Sequence, residues 1–173
     1  WTEVNNLNTA RDELGGNGTQ TSSIAYGGTT PPATAKAESW NGTSWTEGPD
    51  LATARNNIAG AGASNSAAVA FGGGPPASSL TEEFTTSTNT ITAGAFASGG
   101  NLGTARYQLA GSGTETAGLA SGGGSLTTVT GDTEEYDGTS WAEQSNLSTA
   151  RKQLSGGGPQ TAAFVCGGFT SPP

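Results

Sequence analysis

The sequence predicts an all-β chain built from repeats, on three observations. Leu-x-Thr-Ala-Arg is written four times, in "NLNTAR" (6–11), "DLATAR" (50–55), "NLGTAR" (101–106) and "NLSTAR" (146–151). A Gly-Gly pair follows each Arg, at Gly27-Gly28, Gly72-Gly73, Gly122-Gly123 and Gly167-Gly168. Between these marks lie short apolar alternations bounded by turn residues, with no helical period.

The two markers keep the same ruler. Arg11, Arg55, Arg106 and Arg151 are spaced 44, 51 and 45 apart, and the glycine pairs 45, 50 and 45. A third marker follows the glycines: "AESWNGTSW" (37–45), "TEEFTTSTNTI" (81–91) and "TEEYDGTSW" (133–141). The units therefore run over 5–48, 49–95, 100–144 and, in part, 145–173. "WTEV" (1–4) matches "WTEG" (45–48) and "WAEQ" (141–144), so it reads as the last strand of a preceding or closing unit.

Each unit reads as four strands. The first holds sequences such as "NNIAGAG" (56–62). The second is "AAVAFGG" (67–73), where Val69 and Phe71 face one side and Ala68 and Ala70 the other. The third carries Glu82 and Phe84 and their counterparts. The fourth is entered through "NGTS" or "DGTS", strong hairpin signals, and begins at Trp45 or Trp141. "LNTARDEL" could pass for one helical turn, but four copies each followed by glycine-rich sequence make it a linker. Four antiparallel strands in about 45–50 residues is the period of a β-propeller blade.

The set Arg55, Gly72-Gly73, Glu82 with Phe84, and then Ile91 where Trp45 and Trp141 stand, resembles the kelch motif. The resemblance covers essentially the whole chain and implies a kelch-type β-propeller with three full blades and partial blades at each end. The second unit departs from the pattern, with extra residues before Ile91 and no Trp. The small-residue phrasing of "TEEYDGTSW" and "GGGPPASS" also resembles the kelch-like repeat proteins of marine tailed bacteriophages, which implies a virion or extracellular location.

Composition narrows the function. The 173 residues include 29 glycines, 14 acidic and 6 basic residues, for a net charge of −8. Six dispersed cations form no patch for nucleic acid or an anionic membrane, and no apolar run is long enough to insert as a membrane-spanning helix. Histidine is absent, which removes Ser-His-Asp and Cys-His chemistry and the usual metal sites. The lone Cys166 shares a slot with Tyr26, Phe71 and Ser121 and reads as a packing residue. Glu82-Glu83 and Glu134-Glu135 are adjacent on strands and so point to opposite faces, which forbids a carboxylate dyad within either pair. The acidic stretch 131–138 lacks calcium-loop spacing. No catalytic residue, metal or cofactor is expected.

The recurring residues read as scaffold: Arg11, Arg55, Arg106 and Arg151; Glu38, Glu82 and Glu134; Trp1, Trp45 and Trp141. Arg can tie neighbouring loop carbonyls or a Glu such as Glu38, Glu82 or Glu134; the rival reading is an Arg ring around a channel mouth that binds an anion. Strand parity places the Arg linkers and the loops after Gly-Gly on one face. Ligand contacts are expected in those loops, 29–34, 74–79 and 124–130, at Thr29, Thr30, Thr34, Gly74, Ser78, Ser79, Ser125, Thr127 and Thr128. The expected function is a non-catalytic structural or adhesion module of a phage virion appendage such as a tail fibre. Its partners would be other virion proteins, copies of itself, or a host-surface glycan or protein. The alternatives are a kelch-type protein-interaction scaffold and a secreted carbohydrate-active enzyme. A start at Trp1 without Met favours an excerpt of a longer propeller over a small ring closed by "WTEV".

Overall fold

The computed structural model describes residues 2–86 and 95–170. They form an all-β structure of four antiparallel sheets, each a meander in chain order. The first contains β1 (Gly15–Thr19), β2 (Ser22–Tyr26), β3 (Ala37–Trp40) and β4 (Trp45–Glu47). The second contains β5 (Ala59–Ser64), β6 (Ala67–Phe71), β7 (Thr81–Thr85) and β8 (Ala95–Ser98). The third contains β9 (Ala110–Thr114), β10 (Ala117–Ser121), β11 (Thr133–Tyr136) and β12 (Trp141–Gln144). The fourth has two strands, β13 (Lys152–Gly157) and β14 (Phe164–Phe169). The Arg linkers contain no helix, and no helix among the described residues is long and apolar enough to cross a membrane.

The sheets pack face against face through their first strands, β1 on β5, β5 on β9 and β9 on β13. These strands are poor β-formers by composition, "GGNGT" and "AGAGAS" among them. Packing overrides propensity here: a Cβ on Gly111 would run into the Gly60 backbone of the neighbouring sheet. Residues 16–18, 60–62, 111–113 and 156–158, one set from each sheet, line a common cavity of about 260 Å³.

The large side chains fill the spaces between sheets. Ile24 and Tyr26 of the first repeat meet Ile58, Ala68, Ala70 and Phe84 of the second, with Phe96 packed against them. Val69 and Phe71 meet Leu109, Ala120 and Tyr136 of the third repeat, with Trp141 against them. β6 therefore turns its large residues forward and its alanines back. Each fully buried large side chain of this kind contributes about 1.5–3 kcal/mol. Leu51 and Leu102 of the linkers are buried in the same two cores.

Both members of every Gly-Gly pair have positive φ, for example +69° at Gly72 and +109° at Gly73, a conformation that only glycine adopts without strain. The turn sends the chain out of the second strand toward the loop face. The second glycine also forms the joint to the next repeat: Gly28, Gly73 and Gly123 donate their N–H to the carbonyls of Arg55, Arg106 and Arg151, at 3.0, 3.2 and 2.9 Å.

Two expectations need correction. Residues 2–4 form no strand, so they are not equivalent to 45–48 and 141–144; Val4 is 64% exposed. Trp1 lies outside the described residues. In the second repeat, Phe96 takes the place assigned to Ile91. Phe84 pairs with Phe96 as Trp40 pairs with Trp45 and Tyr136 with Trp141. Ile91 lies outside the described residues. The entries to β4 and β12 are four-residue turns, in which Asn41 and Asp137 accept from the backbone N–H groups of residues 43–44 and 139–140.

Candidate functional site: the loop face

Three arginines close the same internal clasp. Arg11, Arg55 and Arg106 pair with Glu38, Glu82 and Glu134 at 2.8, 2.7 and 2.5 Å, each with both side chains almost wholly buried. The second carboxylate oxygen accepts the N–H of the residue three before the Arg, from Asn8, Ala52 and Gly103, each at 2.7 Å. Arg55 adds donations to the carbonyls of Gly72 (2.6 Å) and Leu80 (3.0 Å). Each clasp binds a linker to the third strand of its own sheet. Among the described residues Arg151 faces no such strand; it donates to the Gly167 carbonyl at 3.0 Å. The arginines therefore form no solvent-facing ring.

The next residue along helps seam adjacent repeats. Asn56 donates to Glu13 (2.6 Å) and Thr29 (2.9 Å) of the first repeat. Lys152 is buried, donates to the Ser125 carbonyl at 3.2 Å, and lies 5.7 Å from the Tyr107 ring centre and 5.3 Å from that of Phe169.

One position further, the sequence reading missed a recurring feature. Glu13, Asn57, Gln108 and Gln153 all have positive φ, between +50° and +60°. With the leucine or isoleucine that follows each, they line a cavity of about 310 Å³ on the loop face. The signal was present in "RDEL", "RNNI", "RYQL" and "RKQL": a polar or acidic residue always stands two after the Arg. Left-handed backbone at a non-glycine residue is uncommon and favours Asn and its relatives.

The expected contact loops divide. Residues 74–78, including Gly74 and Ser78, join Ala33 and linker residues 53–56 around a pocket of about 280 Å³. Linker and loop thus share a face, as strand parity requires. Ser78 and Ser79 lend their carbonyls to the N–H groups of Arg106 and Leu102, so they also brace the scaffold. Thr29 binds Glu13, and Thr34 accepts from the Lys36 N–H. Thr30, Thr127 and Thr128 are exposed; Ser125 and Thr128 bond to each other at 2.7 Å, away from that pocket. Trp141 wedges against Phe71, with ring centres 4.8 Å apart, whereas Trp45 stacks on Trp40 within its own sheet.

Among the described residues no cluster of three His, Cys, Asp or Glu could hold a metal. Glu82 and Glu134 are occupied by the clasps, and Glu83 accepts from the Tyr136 hydroxyl. Burial first, and then that hydrogen bond, raise the Tyr136 phenol above its ordinary range; burial does the same at Tyr26. No protein-family model matches the chain, and no curated protein matches it.

Proposed function

We propose that the chain is a non-catalytic, kelch-type β-propeller module that presents its loop face to a partner. The setting we propose, on the resemblance to phage kelch-like repeats, is a virion appendage, and the partner is a host-surface glycan or protein. One observation carries the non-catalytic reading: the three buried glutamates of the repeats, Glu38, Glu82 and Glu134, are held in Arg–Glu clasps with both carboxylate oxygens engaged. Sequence variation falls instead on loops 29–34, 74–79 and 124–130, where a fixed frame places variable contacts. Four sheets whose first strands share one cavity support the propeller reading.

The test is binding of the purified chain to surface polysaccharides and outer-membrane proteins from a panel of marine bacteria. The comparison is a variant with all three loops replaced by glycine and serine. Binding that vanishes in the variant, with melting unchanged, supports the reading. Glycoside turnover by the chain, or binding indifferent to the loops, overturns it.

A further inference from the structure

The joint between the first and second repeats lies wholly inside the chain and carries two things the later joints lack. One is a charge. The Glu13 carboxylate accepts from the Thr29 hydroxyl at 3.2 Å and from the Asn56 amide at 2.6 Å. At the second joint the matching residues are Asn57, Gly74 and Tyr107, and at the third Gln108, Gly124 and Lys152. Both of those joints close with no carboxylate at these positions, so the stacking of repeats does not require the Glu13 charge. Glu13 is exposed and enters no ion pair among the described residues.

The other is a space. Asn56 also lines the pocket of about 280 Å³, whose apolar wall is Ala33, Ala54, Pro75, Pro76 and Ala77. In the third repeat Ser125 and Leu126 stand where the second has Pro75 and Pro76. The strong donors of the wall are already engaged. Asn56 spends its amide N–H groups on Glu13 and Thr29. Arg55 spends both terminal nitrogens on Glu82 and two carbonyls, and its Nε is sealed from solvent. The prolines have no N–H. Few side-chain donors are left, the hydroxyls of Thr53 and Ser78, and no aromatic ring lines the pocket. A sugar ring buried there would leave most of its hydroxyls unpaired, which is costly. An aliphatic side chain would only gain from the alanine and proline carbons.

We propose that this pocket and the Glu13 carboxylate form one docking site for a protein segment: an aliphatic side chain fills the pocket, and a neighbouring lysine or arginine meets Glu13. Charge supports the second half. Arg55, the cation in the wall, is cancelled by Glu82 at 2.7 Å. Glu13 therefore sets the sign of the site, in a chain whose net charge is −8. Thr29 and Asn56 both hold its Oε2, which leaves Oε1 to accept from the incoming cation. The inference rests on the reading that the loop face meets a partner, and it says which class of partner this pocket takes.

The probes are N-acetylated dipeptide amides at millimolar concentration, read by the amide chemical shifts of the 173-residue chain. Leu-Lys and Lys-Leu should shift the N–H signals of Asn56, Gly74 and Ala77; Ser-Lys and Leu-Glu should bind several-fold more weakly. Ala54→Leu fills the pocket from an exposed position of the wall, and should abolish the shifts with melting unchanged. Glu13→Gln retains an acceptor for Thr29 and Asn56. It should weaken Leu-Lys about threefold and leave it no tighter than Leu-Glu. Equal binding of Leu-Lys and Leu-Glu to the unaltered chain overturns the proposal, as does the absence of any shift, shifts that survive Ala54→Leu, or indifference to Glu13→Gln. Methyl glucoside moving the same signals where the dipeptides do not would overturn it too, while leaving the loop face a binding face, for a glycan.

Discussion

The second and fourth repeats share a linker, a glycine pair and the first two strands, but among the described residues only the second has a third strand. In the second, Arg55 is held by Glu82 and two carbonyls and is 5% exposed. In the fourth, Arg151 makes one exposed hydrogen bond to a carbonyl. The backward joint is nevertheless intact in both: Gly28 reaches Arg55, and Gly123 reaches Arg151, with similar geometry. The joint between repeats therefore does not depend on the clasp within a repeat. The clasp fixes a sheet's outer half to its own linker, and the joint stacks sheets whether or not that half is present.

The largest effect should come from breaking a clasp. Arg106→Ala leaves Glu134 buried without its cation and should cost about 3–5 kcal/mol in chemical unfolding. Arg151→Ala should stay within about 0.5 kcal/mol. Equal costs would erase the distinction between the two repeats. The next effect should come from the glycine turn. Gly72→Ala meets the Arg106 carbonyl at 2.8 Å and Leu109 at 2.9 Å in a left-handed conformation, and should cost about 1–3 kcal/mol. Gly167→Ala has the same backbone sign but open space, so only the conformational term of about 1 kcal/mol remains. The difference between the two melting shifts isolates what the covering repeat contributes.

The smallest effect concerns the slot shared by Tyr26 and Cys166, covered in the first repeat and open in the fourth. Burial raises the Tyr26 phenol, so the protonated form is favoured by folding. Its contribution is fully present below the ordinary phenol value of about 10 and is lost as pH rises through the higher folded value. Above about pH 10 the unfolded chain binds fewer protons, so stability falls with rising pH. Tyr26→Phe should flatten that alkaline fall while changing the urea midpoint little at pH 8. Its hydroxyl makes only a 3.5 Å contact with the Val69 carbonyl.

Legibility in the sequence followed repetition. Arg, Gly-Gly and Glu recur in register, so the all-β sheets and the strand order could be read before any coordinates, and Glu38, Glu82 and Glu134 stood among the partners open to the arginines. The second repeat shows where this fails. Ile91 was matched by counting from the third strand, whereas strand pairing selects Phe96 as the partner of Phe84. An insertion defeats a ruler but not a register. The buried Lys–aromatic seam was invisible because the residue after the linker Arg changes type from copy to copy, Tyr107 in the third and Lys152 in the fourth. The ring of Glu13, Asn57, Gln108 and Gln153 was overlooked because its chemistry changes from copy to copy while its backbone does not.

The joint hydrogen bond is made by a glycine N–H and a main-chain carbonyl, groups that every repeat of this pattern carries. Such a connection does not read the identity of its neighbour. A gene encoding these units can duplicate one, lose one, or take one from a related gene, and the new boundary forms the same bond. The loops ride along unchanged on each transferred unit. A lineage built this way can reshuffle whole modules and keep this main-chain bond at every seam, while the side-chain contacts around it, such as Asn56 to Glu13 and Lys152 over Tyr107, change with the neighbour.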